Sequence, residues 1–191
     1  MPVNIEKYLL TPGPLTTSKL TKEAMLREVG SWDSDFKKIT SEIREKLVNI
    51  LMQTSNINKI KNSDPYISIP MQGSGTFSVE AMLGTFVPKT NKALVLSNGS
   101  YGKRCSTILN YLGRDNDIID MGDFLPPDPE LLEKKLEQDP HISHVIVIHC
   151  ETSSGILNPI KTISKIVKSF NRSLLIAVSY THLRAHETIA D

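Results

Sequence analysis

The chain has 191 residues, a formal net charge of +1, and 39% hydrophobic and 23% charged residues, which is the ordinary balance of a globular protein with one sizeable core. A near-neutral chain without a basic stripe gives no reason to expect nucleic acid or an anionic membrane as a partner. The sequence has neither a signal-peptide pattern nor a long apolar run, so we expect a cytoplasmic protein. Cys105 and Cys150 fit no C-x-x-C pattern, and we expect buried free thiols.

The first part of the chain predicts an arm followed by a helix. Thr11-Pro12-Gly13-Pro14 favours a rigid turn, and residues 18–29 show a short helical pattern. The single tryptophan, Trp32, stands beside two aspartates, which suits the rim of a pocket. Apolar residues at helical spacing predict an amphipathic helix over 36–52, and the polar run 53–64 predicts a loop.

From Tyr66 onward, short β-rich runs alternate with helical segments, which predicts a three-layer α/β/α fold with a mostly parallel sheet. The predicted strands are 66–70, 93–97, 117–121, 144–149 and 173–178. The predicted helices are 76–87, 101–112, 128–138 and 159–170. Asp128 before Pro129, and Asn158 before Pro159, are predicted to cap the last two helices.

The stretch Met71–Met82 reads as a strand end, a glycine-containing turn and a helix start. Ser74 and Thr76 offer hydroxyl groups there, and the first amides of the helix point at the same place, so the junction is predicted to bind an anion such as phosphate. The spacing matches neither the dinucleotide fingerprint nor the nucleotide-binding P-loop. A plain capped turn is the alternative interpretation.

Two further loops follow predicted strands, at the edge of a parallel sheet where ligands bind. The loop 97–104 contains an Asn-Gly turn and presents Tyr101, and the loop 149–155 presents Thr152 among other hydroxyl residues. Phosphate donors, a flat ring and hydroxyl groups on adjacent loops suit a phosphorylated aromatic cofactor. Alternatively, Tyr101 is a core residue at a helix start, and Thr152 belongs to a capped turn.

Four motifs in order resemble those of the class V aminotransferases, which are pyridoxal phosphate enzymes of fold type I. They are Thr11-Pro12-Gly13-Pro14, Gly73-Ser74-Gly75-Thr76, Asn98-Gly99-Ser100-Tyr101-Gly102 and His149-Cys150-Glu151-Thr152. Within this class the chain is most similar to the transaminases that use 2-aminoethylphosphonate and pyruvate. The resemblance extends over residues 7–179.

The resemblance implies roles for residues on both sides of a pyridoxal phosphate site. It assigns the phosphate to Ser74, Gly75 and Thr76, ring stacking to Tyr101, and a bond near the ring hydroxyl to Thr152. Gly13 and Trp32 would lie on the substrate side. It implies no catalytic residue in this chain, because neither the Schiff-base lysine nor the ring-nitrogen aspartate has a counterpart. The family has a pattern like L-L-I-D at the end of a hydrophobic strand, whereas this sequence reads Leu174-Leu175-Ile176-Ala177, so the aspartate is missing.

Residues 179–191 show no family pattern and resemble a translated adapter sequence. We therefore expect an inactive fragment from a truncated gene model, with the sheet ending after about five strands. The predicted regions are an N-terminal arm and helix (1–52), part of the large cofactor-binding domain (53–178) and the tail (179–191). Without late strands as neighbours, the strand 66–70 is expected to be unpaired.

The activity that the resemblance implies for the intact parent is amino transfer from 2-aminoethylphosphonate to pyruvate, giving phosphonoacetaldehyde and alanine, by a homodimer. The alternatives are an alanine–glyoxylate or serine–pyruvate transaminase, a desulfurase-like lyase, and a non-catalytic module that binds pyridoxal phosphate or phosphate alone. His182 with His186, and His141 with His144, have the spacing of metal-ligand pairs but lack a third ligand, so we predict no metal site.

Overall fold

The computed structural model describes residues 8–10, 16–54 and 66–178. The chain divides into two compact units, Met1–Gln72 and Gly73–Asp191. The first unit contains helices α1 (Lys19–Ala24) and α2 (Ser34–Thr54). The helix predicted over 18–29 is thus shorter than expected, whereas α2 includes the whole of the predicted helix 36–52.

The apolar stripe of α2 is only partly covered. Its large apolar side chains are 37–49% exposed: Phe36, Ile39, Ile43, Leu47, Ile50 and Leu51. The turn around Gly13, the predicted loop beyond Thr54 and the tail 179–191 lie outside the described residues.

Residues 66–70 do not form the predicted strand. Ile67 and Ile69 are 70% and 68% exposed, so the segment contributes little to a core. A strand is stable only when a neighbour pairs with its backbone groups, and no strand in the described part of the chain pairs with this segment. The expectation that it would lack a partner agrees with the structure, whereas the strand itself was predicted wrongly.

The second unit is built on a four-stranded parallel sheet. Its strands are, in chain order, β1 (Lys92–Ser97), β2 (Asn116–Asp120), β3 (Ile142–Ile148), β4 (Cys150–Glu151), β5 (Ile156–Leu157) and β6 (Ser173–Ala177). The main sheet has the order β2-β1-β3-β6, and β4 and β5 form a separate antiparallel pair that was not predicted. Within the described residues, the main sheet therefore has four strands rather than about five.

Helices α3 (Gly75–Phe86), α4 (Ser100–Tyr111), α5 (Pro129–Gln138) and α6 (Ile160–Ser169) cover the two faces of this sheet. Leu94 and Leu96 of β1 pack in one apolar cluster with residues of α5 and α6. Ala93 and Val95, which point the other way, pack in a second cluster with residues of α3 and α4. This arrangement confirms the predicted three-layer α/β/α fold. None of the described helices is long and apolar enough to span a membrane.

The two predicted helix caps have different outcomes. The Asp128 carboxylate accepts hydrogen bonds from the amides of Glu130 (2.8 Å) and Leu131 (3.4 Å), which confirms it as the N-cap of α5. Asn158 does not cap α6. It is buried, and its side chain exchanges two hydrogen bonds with that of Asn98, at 2.8 and 3.1 Å. The amide pair holds the end of β1 against the segment before α6, and this use of Asn158 replaces the cap.

Candidate functional site

Helix α3 begins with a serine cap after a tight glycine turn. The Ser74 Oγ accepts a hydrogen bond from the amide of Phe77 at 3.3 Å. Gly73 has a φ of +132°, and a Cβ there would lie 2.8 Å from the Phe77 ring. Both its backbone conformation and its lack of space therefore require glycine at this position.

The first turn of α3 has amides that point out of the helix. The Phe77 amide is used by Ser74, but within the described residues no group accepts from the amides of Gly75 and Thr76. Ser74, Gly75 and Thr76 are all exposed. Free first-turn amides at the positive end of a helix dipole form a ready anion-binding site.

A guanidinium group from α4 reaches this turn. Arg104 Nη1 donates a hydrogen bond to Thr76 Oγ1 at 3.1 Å, and the guanidinium carbon lies 5.3 Å from the centre of the Tyr101 ring. Arg104 thus links the start of α3 to Tyr101 on α4. Because the Thr76 oxygen accepts from Arg104, the hydroxyl hydrogen of Thr76 stays available for a ligand, and the same reasoning applies to Ser74.

The first turn of α4, by contrast, is occupied by a carboxylate of the chain itself. Glu151 is 0% exposed, and its oxygens accept hydrogen bonds from the amides of Tyr101 (3.3 Å) and Gly102 (3.0 Å). The Ser153 Oγ donates to Glu151 at 2.6 Å and accepts from the amide of Ser100 at 2.8 Å. All three first-turn amides are therefore paired within the protein.

Two glycines make room for this arrangement. A Cβ on Gly99 would lie 2.5 Å from both Glu151 Cγ and Ser153 Oγ, although its extended backbone would suit any residue. A Cβ on Gly102 would lie 2.8 Å from the backbone of Ser97. Close packing rather than backbone conformation therefore requires glycine at both positions.

The buried charge of Glu151 affects both cysteines. Burial, reinforced by this carboxylate, raises the pKa of the Cys105 thiol to about 12. The same two causes raise the pKa of Cys150 above its ordinary value. Both thiols are free, as the sequence predicts. Cys105 is also buried as predicted, whereas Cys150 is only half-buried.

The structure places the predicted site residues in three groups. Ser74, Gly75 and Thr76 start α3, and Arg104 joins them to the half-buried Tyr101. Thr152 is half-buried in the turn between β4 and β5, next to Glu151. Trp32 lies in the first unit, 84% exposed with Lys37 Nζ 4.4 Å from the centre of its ring, and Gly13 is outside the described residues.

Sequence reasoning assigned no role to Glu151 or to Arg104. Glu151 is separated by 50 positions from the Tyr101 amide that it binds, so no local spacing reveals the contact. Its place directly after a buried strand and before a run of hydroxyl residues was a usable signal for a buried carboxylate. Arg104 faces Thr76 across 28 positions, which likewise becomes visible only when α3 and α4 pack together.

The carboxyl end of β6 carries no titratable group. Ala177 is 5% exposed, and its carbonyl oxygen accepts from the amide of His149 at 3.0 Å. This is the position at which the resemblance would place an aspartate. A methyl group there offers neither a charge nor a hydrogen bond to a ligand.

Comparison with curated proteins gives strong sequence matches, although no family model matches the chain. The chain is 53% identical over 171 residues to the 2-aminoethylphosphonate–pyruvate transaminase of Rhizobium meliloti (strain 1021), covering 90% of this chain and 43% of the relative. It is 52% identical over 171 residues to 2-aminoethylphosphonate–pyruvate transaminase 1 of Paraburkholderia xenovorans (strain LB400), covering 90% and 42%.

Comparison with solved structures gives aminotransferases with the same fold. The pyridoxamine–pyruvate aminotransferase of Mesorhizobium loti superposes with a TM-score of 0.76 at 23% identity, covering 91% of this chain and 42% of that one, which shows the fold alone. The alanine–glyoxylate aminotransferase of Nostoc sp. superposes with a TM-score of 0.74 at 26% identity, covering 92% and 44%.

The sequence and structure comparisons both find aminotransferases, and in both the chain matches less than half of the other protein. The chain spans less than half the length of the curated relatives, 43% and 42% for the two described above. Its parallel sheet and helical layers are those of the solved aminotransferases. Over the segment that it spans, the chain is therefore similar in sequence to 2-aminoethylphosphonate–pyruvate transaminases and has the fold of the solved aminotransferases.

Proposed function

We propose that the first turn of α3 binds the phosphate of pyridoxal 5'-phosphate, and that the whole protein transfers the amino group of 2-aminoethylphosphonate to pyruvate, giving phosphonoacetaldehyde and alanine. The observation that carries the binding proposal is the pair of available amides at Gly75 and Thr76. The substrate proposal rests on relatives of that name at 53% and 52% identity.

The chemistry of the α3 turn fits a phosphate group. Its two amides are hydrogen-bond donors, the hydroxyl groups of Ser74 and Thr76 have hydrogens available, and Arg104 adds a positive charge beside them. A doubly charged phosphate offers only acceptor oxygens, so donors and positive charge are what it needs. The α4 turn does not compete, because Glu151 and Ser153 already pair its amides.

The ring contacts that we propose belong to Tyr101 and Thr152. Tyr101 offers a flat apolar face for stacking, and Thr152 offers a hydroxyl group for the ring hydroxyl. Glu151 supports this assignment because it binds the Tyr101 amide and directly precedes Thr152 in the chain. On the substrate side, Gly13 and Trp32 stay part of the proposal on the strength of the resemblance.

When bound, pyridoxal phosphate supplies the aldehyde carbon and the electron-accepting ring on which amino transfer depends. The residues of this chain would hold the phosphate and orient the ring. We assign no proton transfer to any of them. Ala177 provides no carboxylate for a ring nitrogen, and we assign binding and orientation alone to the described residues.

We further propose that the whole protein is a cytoplasmic homodimer that acts on a small amino donor and a 2-oxo acid, with neither nucleic acid nor a membrane as a partner. The net charge of +1 supports the last point. The half-exposed apolar stripe of α2 supports association. Native mass spectrometry of a whole relative checks the dimer, which an active monomer would contradict.

The activity is tested in a chimera in which residues 8–172 of this chain replace the matching residues of the Rhizobium meliloti relative. The exchanged segment includes every proposed phosphate, ring and substrate-side contact, and the relative supplies everything after Arg172. We expect alanine to form from 2-aminoethylphosphonate and pyruvate, with the unmodified relative as the positive control. A second chimera with Ser74→Ala and Thr76→Ala should need a higher cofactor concentration for the same rate.

Two outcomes would contradict the proposal. A folded chimera that prefers alanine and glyoxylate as its substrates would favour the alternative transaminase. A chimera that shows full activity with unchanged cofactor affinity after both substitutions would mean that the phosphate binds elsewhere.

A further inference from the structure

Glu151 stands out because it is the charged side chain that is fully buried in the described part of the chain. A buried carboxylate is costly unless its charge is compensated. Among the described residues, no lysine or arginine forms an ion pair with it. Its compensation comes instead from amides at the positive end of α4 and from the Ser153 hydroxyl group.

Both oxygens of Glu151 are used, and they act on consecutive residues. Oε1 accepts from the Tyr101 amide, and Oε2 accepts from the Gly102 amide. Two bonds from one rigid, planar group fix the orientation of both peptides. Because the backbone at Tyr101 sets the direction of its Cα–Cβ bond, the position of the aromatic ring follows from where the carboxylate lies.

The carboxylate itself has little freedom to move. Gly99 packs so closely that a single added carbon would lie 2.5 Å from Glu151 Cγ. Ser153 holds Oε1 at 2.6 Å while its oxygen accepts from the Ser100 amide. Contacts from the loop before α4 and from the turn that contains Thr152 therefore hold the carboxylate in place.

We propose that Glu151 is a positioning residue, which sets the place of Tyr101 for its contact with the ring of the cofactor. This inference rests on the proposed function, because it takes Tyr101 as the stacking residue. Glu151 contacts neither the phosphate turn nor, in our proposal, the ring. Its effect should therefore appear in the binding of the ring and not in the binding of the phosphate.

The test compares two ligands on the full chain, Met1–Asp191. Dissociation constants are measured for pyridoxal 5'-phosphate and for inorganic phosphate, and induced circular dichroism of the bound pyridoxal chromophore reports the orientation of the ring. The variants are Glu151→Gln, which keeps the shape but loses the charge, and Glu137→Gln, an exposed glutamate on α5, as the matched control. Hydrogen exchange of the Tyr101 and Gly102 amides is measured in parallel.

We expect Glu151→Gln to weaken pyridoxal phosphate binding by about two- to tenfold, the range that an aromatic stacking contact contributes. Its induced dichroism should fall and the two amides should exchange faster, while phosphate affinity stays unchanged. Glu137→Gln should match the unmodified chain in all four measurements. A residue that only caps α4 would change amide exchange and stability but not the ring signal.

The inference is overturned if pyridoxal phosphate affinity and dichroism are unchanged in Glu151→Gln, or if the affinities for both ligands fall by the same factor. If the unmodified chain binds neither ligand, the proposed function fails and the inference fails with it. That result differs from a failure of the inference alone, in which the unmodified chain binds both.

A milder variant covers the case in which Glu151→Gln does not fold. Ser153→Ala removes one hydrogen bond to the carboxylate and keeps its charge. It should weaken pyridoxal phosphate binding by a smaller factor than Glu151→Gln and again leave phosphate affinity unchanged. Equal affinities in Ser153→Ala and the unmodified chain would then overturn the inference.

Discussion

Helices α3 and α4 are linked by the hydrogen bond between Arg104 and Thr76, but the amides of their first turns are used differently. At α4, the three amides of residues 100–102 are paired with Glu151 and Ser153. At α3, only the Phe77 amide is paired, by Ser74. The α4 turn is therefore filled by the protein, whereas the α3 turn is available to a ligand.

The difference shows how two similar helix ends acquire different functions. A helix dipole attracts negative charge at either turn, so the dipole alone does not choose between them. In our proposal the buried carboxylate makes this choice, because it occupies the amides of the α4 turn and leaves those of α3 for the phosphate. The same carboxylate connects the two turns, because it binds the residue whose ring lies beside Arg104.

The largest effect on stability is expected when the carboxylate that binds the α4 turn is removed. Glu151→Ala leaves two buried amides without an acceptor and removes a packed side chain, so the free energy of unfolding should fall by about 3–5 kcal/mol. Urea denaturation measures the change, with exposed Glu137→Ala as the control. A loss no larger than that of the control would mean that the carboxylate does not stabilise α4.

A smaller loss is expected when the carboxylate is pushed aside. Gly99→Ala places a carbon 2.5 Å from Glu151 Cγ, so the loop must shift, at a cost of about 1–3 kcal/mol. The matched control is Gly84→Ala on α3, where the nearest atom is 3.6 Å away and helix propensity should raise stability by roughly 0.5–1 kcal/mol. Equal midpoints for the two variants in urea would contradict the close packing at Gly99.

A substitution in the α3 turn should lower the stability of the chain only slightly but should clearly weaken the binding of pyridoxal phosphate. Ser74→Ala removes the cap of α3, which should cost about 1 kcal/mol of unfolding free energy. The same change removes a donor to the phosphate, and the affinity for pyridoxal phosphate should fall. Isothermal titration of Ser74→Ala and of Ser78→Ala, one turn further along α3, measures this. Equal affinities in the two variants would remove Ser74 from the phosphate site.

The smallest expected effect concerns the charge at the α4 turn. Burial and the Glu151 carboxylate raise the pKa of Cys150, so less of this thiol is ionised at a given pH. Glu151→Gln removes the charge, and the pH midpoint of Cys150 alkylation by iodoacetamide should move downward. The midpoint is compared rather than the rate, because the rate also depends on how easily the reagent reaches the sulfur. An unchanged midpoint would mean that the residue is uncharged in the folded chain.

The layers of the fold could be predicted from sequence because their signals are local. A short run of apolar residues, Ala93 to Leu96, predicts a strand that is covered on both faces. The sequence Asp128-Pro129 predicts the start of a helix. Residues 66–70 have the same local signal as the true strands. They fail to pair because pairing depends on a neighbouring strand, which local composition does not report.

The candidate site was predictable only in part, for a related reason. The glycine, serine and threonine of the α3 turn lie together in sequence, so their role can be proposed directly. Glu151, Arg104 and the Asn98–Asn158 pair act across 28 to 60 positions. Asn158 illustrates the difficulty, because it has the local pattern of a helix cap but is used in a distant amide pair.

The most direct test of the contrast between the two turns is an amide NMR titration of the ¹⁵N-labelled chain with inorganic phosphate. The account predicts saturable shifts at the amides of Gly75 and Thr76, while those of residues 100–102 stay in place. Saturable shifts at residues 100–102, or none at Gly75 and Thr76, would contradict it.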